Sequence, residues 1–454
     1  GTEMKYDLVI KNAQLVDENV NIFGSIGIKD SKIAAIADTK NTLDASRVID
    51  AEGRTIIPGV FDPHCHLGVN YDYDEDMRTE MAAAARGGIT TAFLYIRNKE
   101  PSYIPFYKDR RTRGEANSII DFGLHFGIQR EEHIHEIPII AKETGVQSFK
   151  LYFGYEPDNP IGIIPANDGW VYATMREVAK LPRGVVSVHC ENTSIARWVK
   201  EELLETGRTD LAAYSESRPV LCEIETIKRM IFLASKTGAR LQVVHTTAGQ
   251  GADLAAAARA EGVDVQIETC PHYLVRTAYD KDIGVEAKIS PPLRDNEQKE
   301  WLWRGMKNGR IFSLGSDHVP FFPKKSESVW TEKPGVVSFP WELALMLNHG
   351  VHERGLPLQR LVQLNSANPA RRFGIYPNKG SLNVGTDADI VLVDLDLEKE
   401  VVHEGKGTCI YSGMKLRGWP VLTISRGEVV FENNQVNESL YGRGRCLIFP
   451  GMDK

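Results

Sequence analysis

Between Phe61 and Asn70 the chain reads FDPHCHLGVN, with His64 and His66 one residue apart after the apolar run RTIIPGV. In extended chain, residues i and i+2 project to the same side, so both imidazoles would face one way and Cys65 the other. Held about 6–7 Å apart along a strand, two neutral imidazoles can grip one cation, and imidazole suits zinc and similar borderline metals. Taken alone, the pair reads more readily as hydrogen-bonded histidines in a polar loop. Four more residues bear on the choice. His189 closes VSVH, His245 closes LQVVH, Asp317 follows FSLGS, and Lys150 stands inside SFKLYF. Either further histidine alone would pass for a satisfied core residue, and Asp317 alone for the cap of the next segment. Together they describe a metal site.

Lys150 is flanked by Phe149, Leu151, Tyr152 and Phe153. A bare ammonium buried there is costly without a partner. Three arrangements accommodate it. It can pair with a carboxylate, or its register can turn it out to solvent. In the third, a depressed pKa lets the amine take up carbon dioxide and become an anionic carbamate that bridges two metal ions. The ligand count favours the bridge. His64, His66, His189, His245 and Asp317 exceed what one tetrahedral zinc needs, and two ions sharing a bridge would use them all.

The other histidines read differently. His125 closes a strand and is ambiguous; His272, in ETCPHYL, lines the pocket without binding metal. His318 points away from its neighbour Asp317. His133, His135, His349, His352 and His403 are surface or packing residues.

These groups need a scaffold that aims strand ends at one point. Eight β-rich runs provide it: TIIPGVFD, GITTAFLYI, SIIDFGLHFG, GVQSFKLYF, GVVSVHC, ARLQVVH, VDVQIETC and GRIFSLGSD. Between them lie amphipathic stretches such as EDMRTEMAAAARG, REEHIHEIPIIAKETG and EIETIKRMIFLASKTG, usually with a Gly near the end. The pattern predicts an α/β fold, a (β/α)8 TIM barrel over residues 58–372, whose active site lies at the carboxyl ends of the strands. Residues 4–57 and 373–440 carry short alternating strands and turns, and are expected to build one small β-sandwich domain from both chain ends. Residues 441–454 read as a C-terminal extension that packs on a neighbouring subunit.

Length and charge set the bounds. A chain of 454 residues exceeds one ordinary core. Its net charge of -7 gives no reason to expect nucleic acid or an anionic membrane as partner. No apolar stretch approaches the roughly 20 residues that span a bilayer. Gly1 to Glu3 look like an expression scar before Met4. The 6 scattered cysteines read as reduced thiols of a cytoplasmic protein.

The motifs PGVFDPHCHL, HCEN, VVHTTAG, ETCPHYL, ISPPLRDNEQKEWLW, GSDHVPF, NSANPARRFGI and KGSLNVGTDADIVLVD resemble, in kind and order, those of the amidohydrolase superfamily. Within it they are most similar to the cyclic amidohydrolases: hydantoinase/dihydropyrimidinase, allantoinase and dihydroorotase. The resemblance covers nearly the whole chain. It implies that His64 and His66 bind one metal, His189 and His245 the other, that carboxylated Lys150 bridges both, and that Asp317 binds the first. Dihydroorotases carry an Arg two residues after the second histidine to hold a substrate carboxylate; here Gly68 stands there. Hydantoinases place a Tyr five residues after the bridging Lys, aimed at the oxyanion, and Tyr155 holds that spacing. Ser290, in SPPLRD, would offer its backbone to the ring amide. Two stretches depart from the hydantoinase pattern. GVNYDYDED replaces the usual continuation toward MPFGG, and TEKPGVVSF lacks the usual substrate-holding Asn.

The expected chemistry is hydrolysis of a cyclic amide or ureide, such as a hydantoin or dihydropyrimidine ring, by a hydroxide generated between two divalent ions, zinc or else manganese. Tyr155 would stabilise the oxyanion and Asp317 would carry the proton. The alternatives are an allantoinase or another lactam, imide or amide hydrolase, and a non-catalytic scaffold of the dihydropyrimidinase type. The resemblance implies a homodimer or homotetramer. NYDYDEDM is either a selector for a cationic or aromatic substrate or a solvated loop.

Overall fold

The computed structural model describes residues 5–41 and 43–452, so the reading of Gly1 to Met4 lies outside it. Eight strands pair in chain order, each parallel to the next: Val60–Cys65, Ile89–Arg97, Asp121–Gly127, Ser148–Phe153, Val185–Cys190, Leu241–Val243, Val265–Thr269 and Ser313–Leu314. Helices cover their outer face, which is why the strands read as apolar runs rather than alternating ones.

The eighth strand is only 2 residues long, so the barrel closes beyond it. The Asp317 amide donates to the His64 carbonyl at 2.8 Å, and the His66 amide to the His318 carbonyl at 2.8 Å. The backbone that completes the barrel is thus the backbone of the residues singled out for chemistry.

The helices follow their sequence signals. Tyr73–Arg86 starts where the Asp72 carboxylate accepts from the Glu75 amide, and Asp74, Glu75 and Asp76 fill its first turn. That placement suits the positive end of a helix dipole. NYDYDEDM is therefore mostly a helix start rather than a loop. Glu131–Thr144 and Val220–Thr237 each end on a left-handed glycine, Gly145 and Gly238, where a side chain would be strained.

The run TIIPGVFD is two strands, not one. Thr55–Pro58 pairs antiparallel with Ile390–Glu400 in a second sheet, while Val60–Cys65 opens the barrel. The crossing falls at Gly59, where a Cβ would lie 2.0 Å from Thr90 Oγ1. The second sheet has nine strands, from Tyr6–Val16 through Thr55–Pro58 at one end of the chain and from Ile390–Glu400 through Gln435–Val436 at the other. It encloses its own core of Leu8, Ile10, Leu15, Ile56, Ile390 and Ile424. The fold is a TIM barrel with a small β-sandwich built from both ends.

The tail is anchored within its own chain, whatever it meets on a neighbouring subunit. The described tail lies along the third barrel strand of its own chain. The Phe122 amide donates to the Arg445 carbonyl at 3.0 Å and the Leu447 amide to the Phe122 carbonyl at 2.7 Å. The sandwich is pinned to the same place by buried charge. Lys379 Nζ meets Asp121, Asp389 and Asp387 at 2.8, 2.9 and 3.0 Å, and Arg426 Nε meets Asp121 at 2.9 Å.

Burial alone would raise the Asp121 carboxyl, but Lys379 and then Arg426 pull it down to about 2. Burial, with Asp121 and Asp387 nearby, pushes Asp389 up against the pull of Lys379. The share of stability carried by Asp121 is therefore complete above the unfolded carboxylate value near 4 and fades as pH falls towards about 2. Chemical denaturation of wild type and Asp121→Asn across that window is expected to show a stability gap that shrinks with acid; a constant gap contradicts the assignment. Lys379→Met, which removes the shared cation and leaves buried Asp389 with no ion-pair partner among the described residues, is expected to cost about 3–5 kcal/mol in the same assay.

Candidate metal centre

The seam between the first and last barrel strands brings three donors into contact. His64 Nε2 lies 3.2 Å from His66 Nε2 and 3.1 Å from Asp317 Oδ1, and His66 Nε2 lies 2.8 Å from the same oxygen. All three ligand atoms fall within 4.8 Å of one another, the arrangement of a cation site. Asp317 and His245 both hold positive φ, 53° and 38°. Such backbone is uncommon outside glycine and gathers at functional sites.

His245 joins the group through its ring, 5.5 Å from that of His64 and 4.4 Å from that of His189. His189 and His245 each leave Nδ1 buried without a hydrogen-bond partner among the described residues. Lys150 is 1% exposed. Its amine stands 4.5 Å over the Tyr95 ring and 4.9 Å over the Tyr152 ring, with no carboxylate in ion-pair distance among the described residues. Two of the three arrangements open in the sequence, the ion pair and the solvent-facing register, are therefore absent. Burial lowers the Lys150 amine to about 8.

The charge balance asks for a cation. Burial would lower His64, yet the Glu268 and Asp317 carboxylates outweigh it and raise the imidazole to about 9. Burial would raise Asp317, yet His64 and His66 hold it well below the usual carboxylate range. Convergent donors and orphaned imidazole nitrogens fit a divalent metal centre, a group the structure itself does not contain.

A layer of carboxylates orients these donors, and the motif reading missed it. Glu268 Oε1 accepts from His64 Nδ1 at 2.7 Å and from the His245 amide at 3.0 Å. Glu191 Oε1 contacts His189 Nε2 at 2.6 Å, and Arg218 Nε holds its other oxygen at 2.8 Å. Asp62 accepts from the His64 amide at 3.0 Å and the Ser316 amide at 3.1 Å. Two glycines make room: a Cβ on Gly154 would lie 2.2 Å from the His189 ring, and one on Gly315 would lie 2.6 Å from the Glu268 carboxyl carbon. A signal existed, since a Glu inside the buried run VQIETC, or following VSVHC, demands a partner.

A cavity of about 770 Å³ opens over the donors, lined by Tyr155, Ser290, His66, Lys150, His245 and Asp317 among others. The ring of Tyr155 is 4.7 Å from that of His189. His125 is satisfied by Ser148 and the Pro63 carbonyl, and so is structural. His318 pairs with Glu80 at 2.8 Å, away from the donors as expected. His272 is buried against Tyr273 rather than on the cavity wall, and His133 is buried packing. The acidic stretch after the first histidines also turns away, with Asp76 bonding Lys406 at 2.5 Å and the Gly68 amide at 2.8 Å. Only Leu67 to Asn70 of that segment reach the cavity.

A barrel with polar donors at its carboxyl rim, joined to a sandwich made from both chain ends, defines a class, and comparison with known proteins identifies it. The model of the amidohydrolase family matches residues 55–430, and the chain belongs to that family. It is 34% identical over 450 residues to an L-hydantoinase of Paenarthrobacter aurescens, covering 95% of this chain and 96% of that one. It is 34% identical over 449 residues to an allantoinase of Deinococcus radiodurans, covering 97% and 98%. The solved structure of L-hydantoinase (dihydropyrimidinase) from Arthrobacter aurescens superposes with a TM-score of 0.87 at 32% identity, over 97% of this chain and 99% of that one.

Because Glu268 fixes the His64 ring, Glu268→Gln is expected to weaken metal affinity about 10- to 100-fold without unfolding the protein. Competition against a chelator, with circular dichroism as control, measures it; unchanged affinity would show that Glu268 has no orienting role.

Proposed function

We propose that this protein hydrolyses a ring amide of the hydantoin or dihydropyrimidine kind. Amidohydrolases carry a divalent metal centre, and here His64, His66 and Asp317 would hold one ion and His189 and His245 the second, with carboxylated Lys150 between them. The observation that carries this reading is the buried, unpartnered Lys150 amine set among imidazoles that leave nitrogens unused. An amine near 8 is partly unprotonated at neutral pH, the form that adds carbon dioxide. The anionic carbamate would answer the charge its neighbours lack. Two divalent ions, zinc or manganese, would supply an activated water and polarise the carbonyl under attack.

The chain's own residues do the rest. Asp317 Oδ1, already within hydrogen-bond reach of both His64 and His66, takes the proton released by water and passes it to the departing ring nitrogen. The Tyr155 hydroxyl, on the cavity wall beside His189, donates to the oxyanion that develops on the carbonyl. Ser290 presents its backbone to the ring amide from the same wall. Allantoin is the second candidate substrate, because the relatives include allantoinases as similar as the hydantoinase. Six unpaired cysteines support a cytoplasmic setting, and the resemblance to cyclic amidohydrolases supports a homo-oligomer.

Hydantoin, dihydrouracil, allantoin and simple imides assayed side by side should yield turnover on at least one ring, abolished by thorough chelation and restored by metal. Full activity after chelation contradicts the reading. Asp317→Asn is expected to lower kcat by about 10²–10⁴ and Tyr155→Phe by about 10²–10³, with the fold retained; a Tyr155→Phe enzyme at wild-type rate would remove the hydroxyl from the chemistry.

A further inference from the structure

The cavity has a charge imbalance that the reaction does not use. Its described lining carries the cations Arg97, Lys99, Arg110, Arg130 and Lys333, besides Lys150, but Asp317 as its only carboxylate. This contrasts with a chain whose net charge is -7. Arg110 and Arg130 are answered by Asp109 and Glu132, and Lys99 and Lys333 are exposed to water. Arg97 differs from all of these. It is half-buried at the carboxyl end of the second barrel strand. Its guanidinium makes one hydrogen bond, Nη2 to the Ile161 carbonyl at 3.2 Å, and pairs with no carboxylate among the described residues. A guanidinium has five N–H donors, so most of its fork is unused.

The strand register says where that fork stands. Arg97 pairs with Gly127 on the next strand, and Gly127 with Lys150 on the one after. Register partners project to the same side of a sheet, and two strand spacings put the Arg97 and Lys150 backbones roughly 10 Å apart. Gly127 lets the intervening space close. A Cβ there would lie 3.0 Å from Tyr152 Cε2 and 3.1 Å from Arg97 Cγ. The Arg97 stem and the Tyr152 ring therefore meet over bare backbone. The Tyr152 hydroxyl has no hydrogen-bond partner among the described residues, and its ring flanks the Lys150 amine. The acidic residues of NYDYDEDM, which would have neutralised this wall, are taken up by the helix start, Arg113 and Lys406.

We infer that Arg97 and the Tyr152 hydroxyl form an anion subsite that selects a cyclic amide bearing a carboxylate on its ring substituent. A planar guanidinium fork matches a carboxylate in two parallel hydrogen bonds, and the distance to Lys150 leaves the ring itself between the subsite and the donors. The inference rests on the ring-amide reading and narrows it to acidic substrates.

The metal-loaded enzyme tests it with two rings: a hydantoin carrying a carboxymethyl group and its neutral carboxamide isostere. The wild type is expected to prefer the carboxylate in kcat/KM by about tenfold or more, with the preference eroded by added salt. Arg97→Met should bring the ratio close to one, mainly through KM. Arg97→Glu should turn the preference towards an aminoalkyl-substituted ring. Equal or faster opening of the carboxamide by the wild type overturns the subsite while leaving the ring-amide function standing, as does an unchanged ratio in Arg97→Met. Turnover of no ring in this pair or in the wider panel overturns both.

Discussion

Two backbone hydrogen bonds, Asp317 to His64 and His66 to His318, join the last strand of the barrel to the first. The eighth strand is too short to make this junction by ordinary pairing. Closure therefore falls on the residues just past its end, and those residues carry the donors. The barrel cannot close without bringing Asp317 onto the two histidines, and the three cannot separate without opening the barrel. The left-handed backbone at Asp317 is part of this arrangement. A strained residue persists where its surroundings over-determine it, and here they do so from both sides of the seam.

The centre is costly, and the structure shows how the cost is met. Six polar side chains are withdrawn from water at one rim, an expense that only pairing or a bound ion offsets. Glu268, Glu191 and Asp62 satisfy the outward faces of the donors, and Arg218 in turn holds Glu191, whose carboxyl burial would raise but Arg218 and His189 bring down to about 2. The His64 and His189 rings are thus fixed from behind, while the Lys150 amine and His245 Nδ1 are left without a partner among the described residues. The buried Lys379 cluster does a similar job at the other end of the barrel, where it locks the sandwich to the third strand. The two charged regions thus serve different ends, one leaving bonding capacity unused and the other using all of it.

Much of this was legible in the sequence because apolar strands buried on both faces are long enough to count, and because a polar residue at the end of such a run stands out. His64, His66, His189, His245, Asp317 and Lys150 were all visible on that basis, and the structure gathers them at one rim. Pairing partners were less visible. Within TIIPGVFD only the Pro58-Gly59 pair, a turn signal, marks the change of sheet, since Thr55–Pro58 and Val60–Cys65 are equally apolar and their distant partners differ. Glu268 and Glu191 lay inside quoted motifs, yet their targets are separated from them by a strand spacing or a side chain's length, which local pattern does not encode. The helix start in NYDYDEDM could have been found, because Asp72 three residues before Glu75 is a capping signature. The tail's attachment to its own barrel was not visible because it is backbone to backbone, through Arg445 and Leu447 to Phe122, and leaves no trace in residue type.

The most direct test of the account is anomalous diffraction from crystals of the metal-loaded protein. The account predicts two ions per chain, one against His64, His66 and Asp317 and one against His189 and His245, with a carboxylated Lys150 between them. A single ion, or none under saturating metal, or a free Lys150 amine in ordered density, would contradict it.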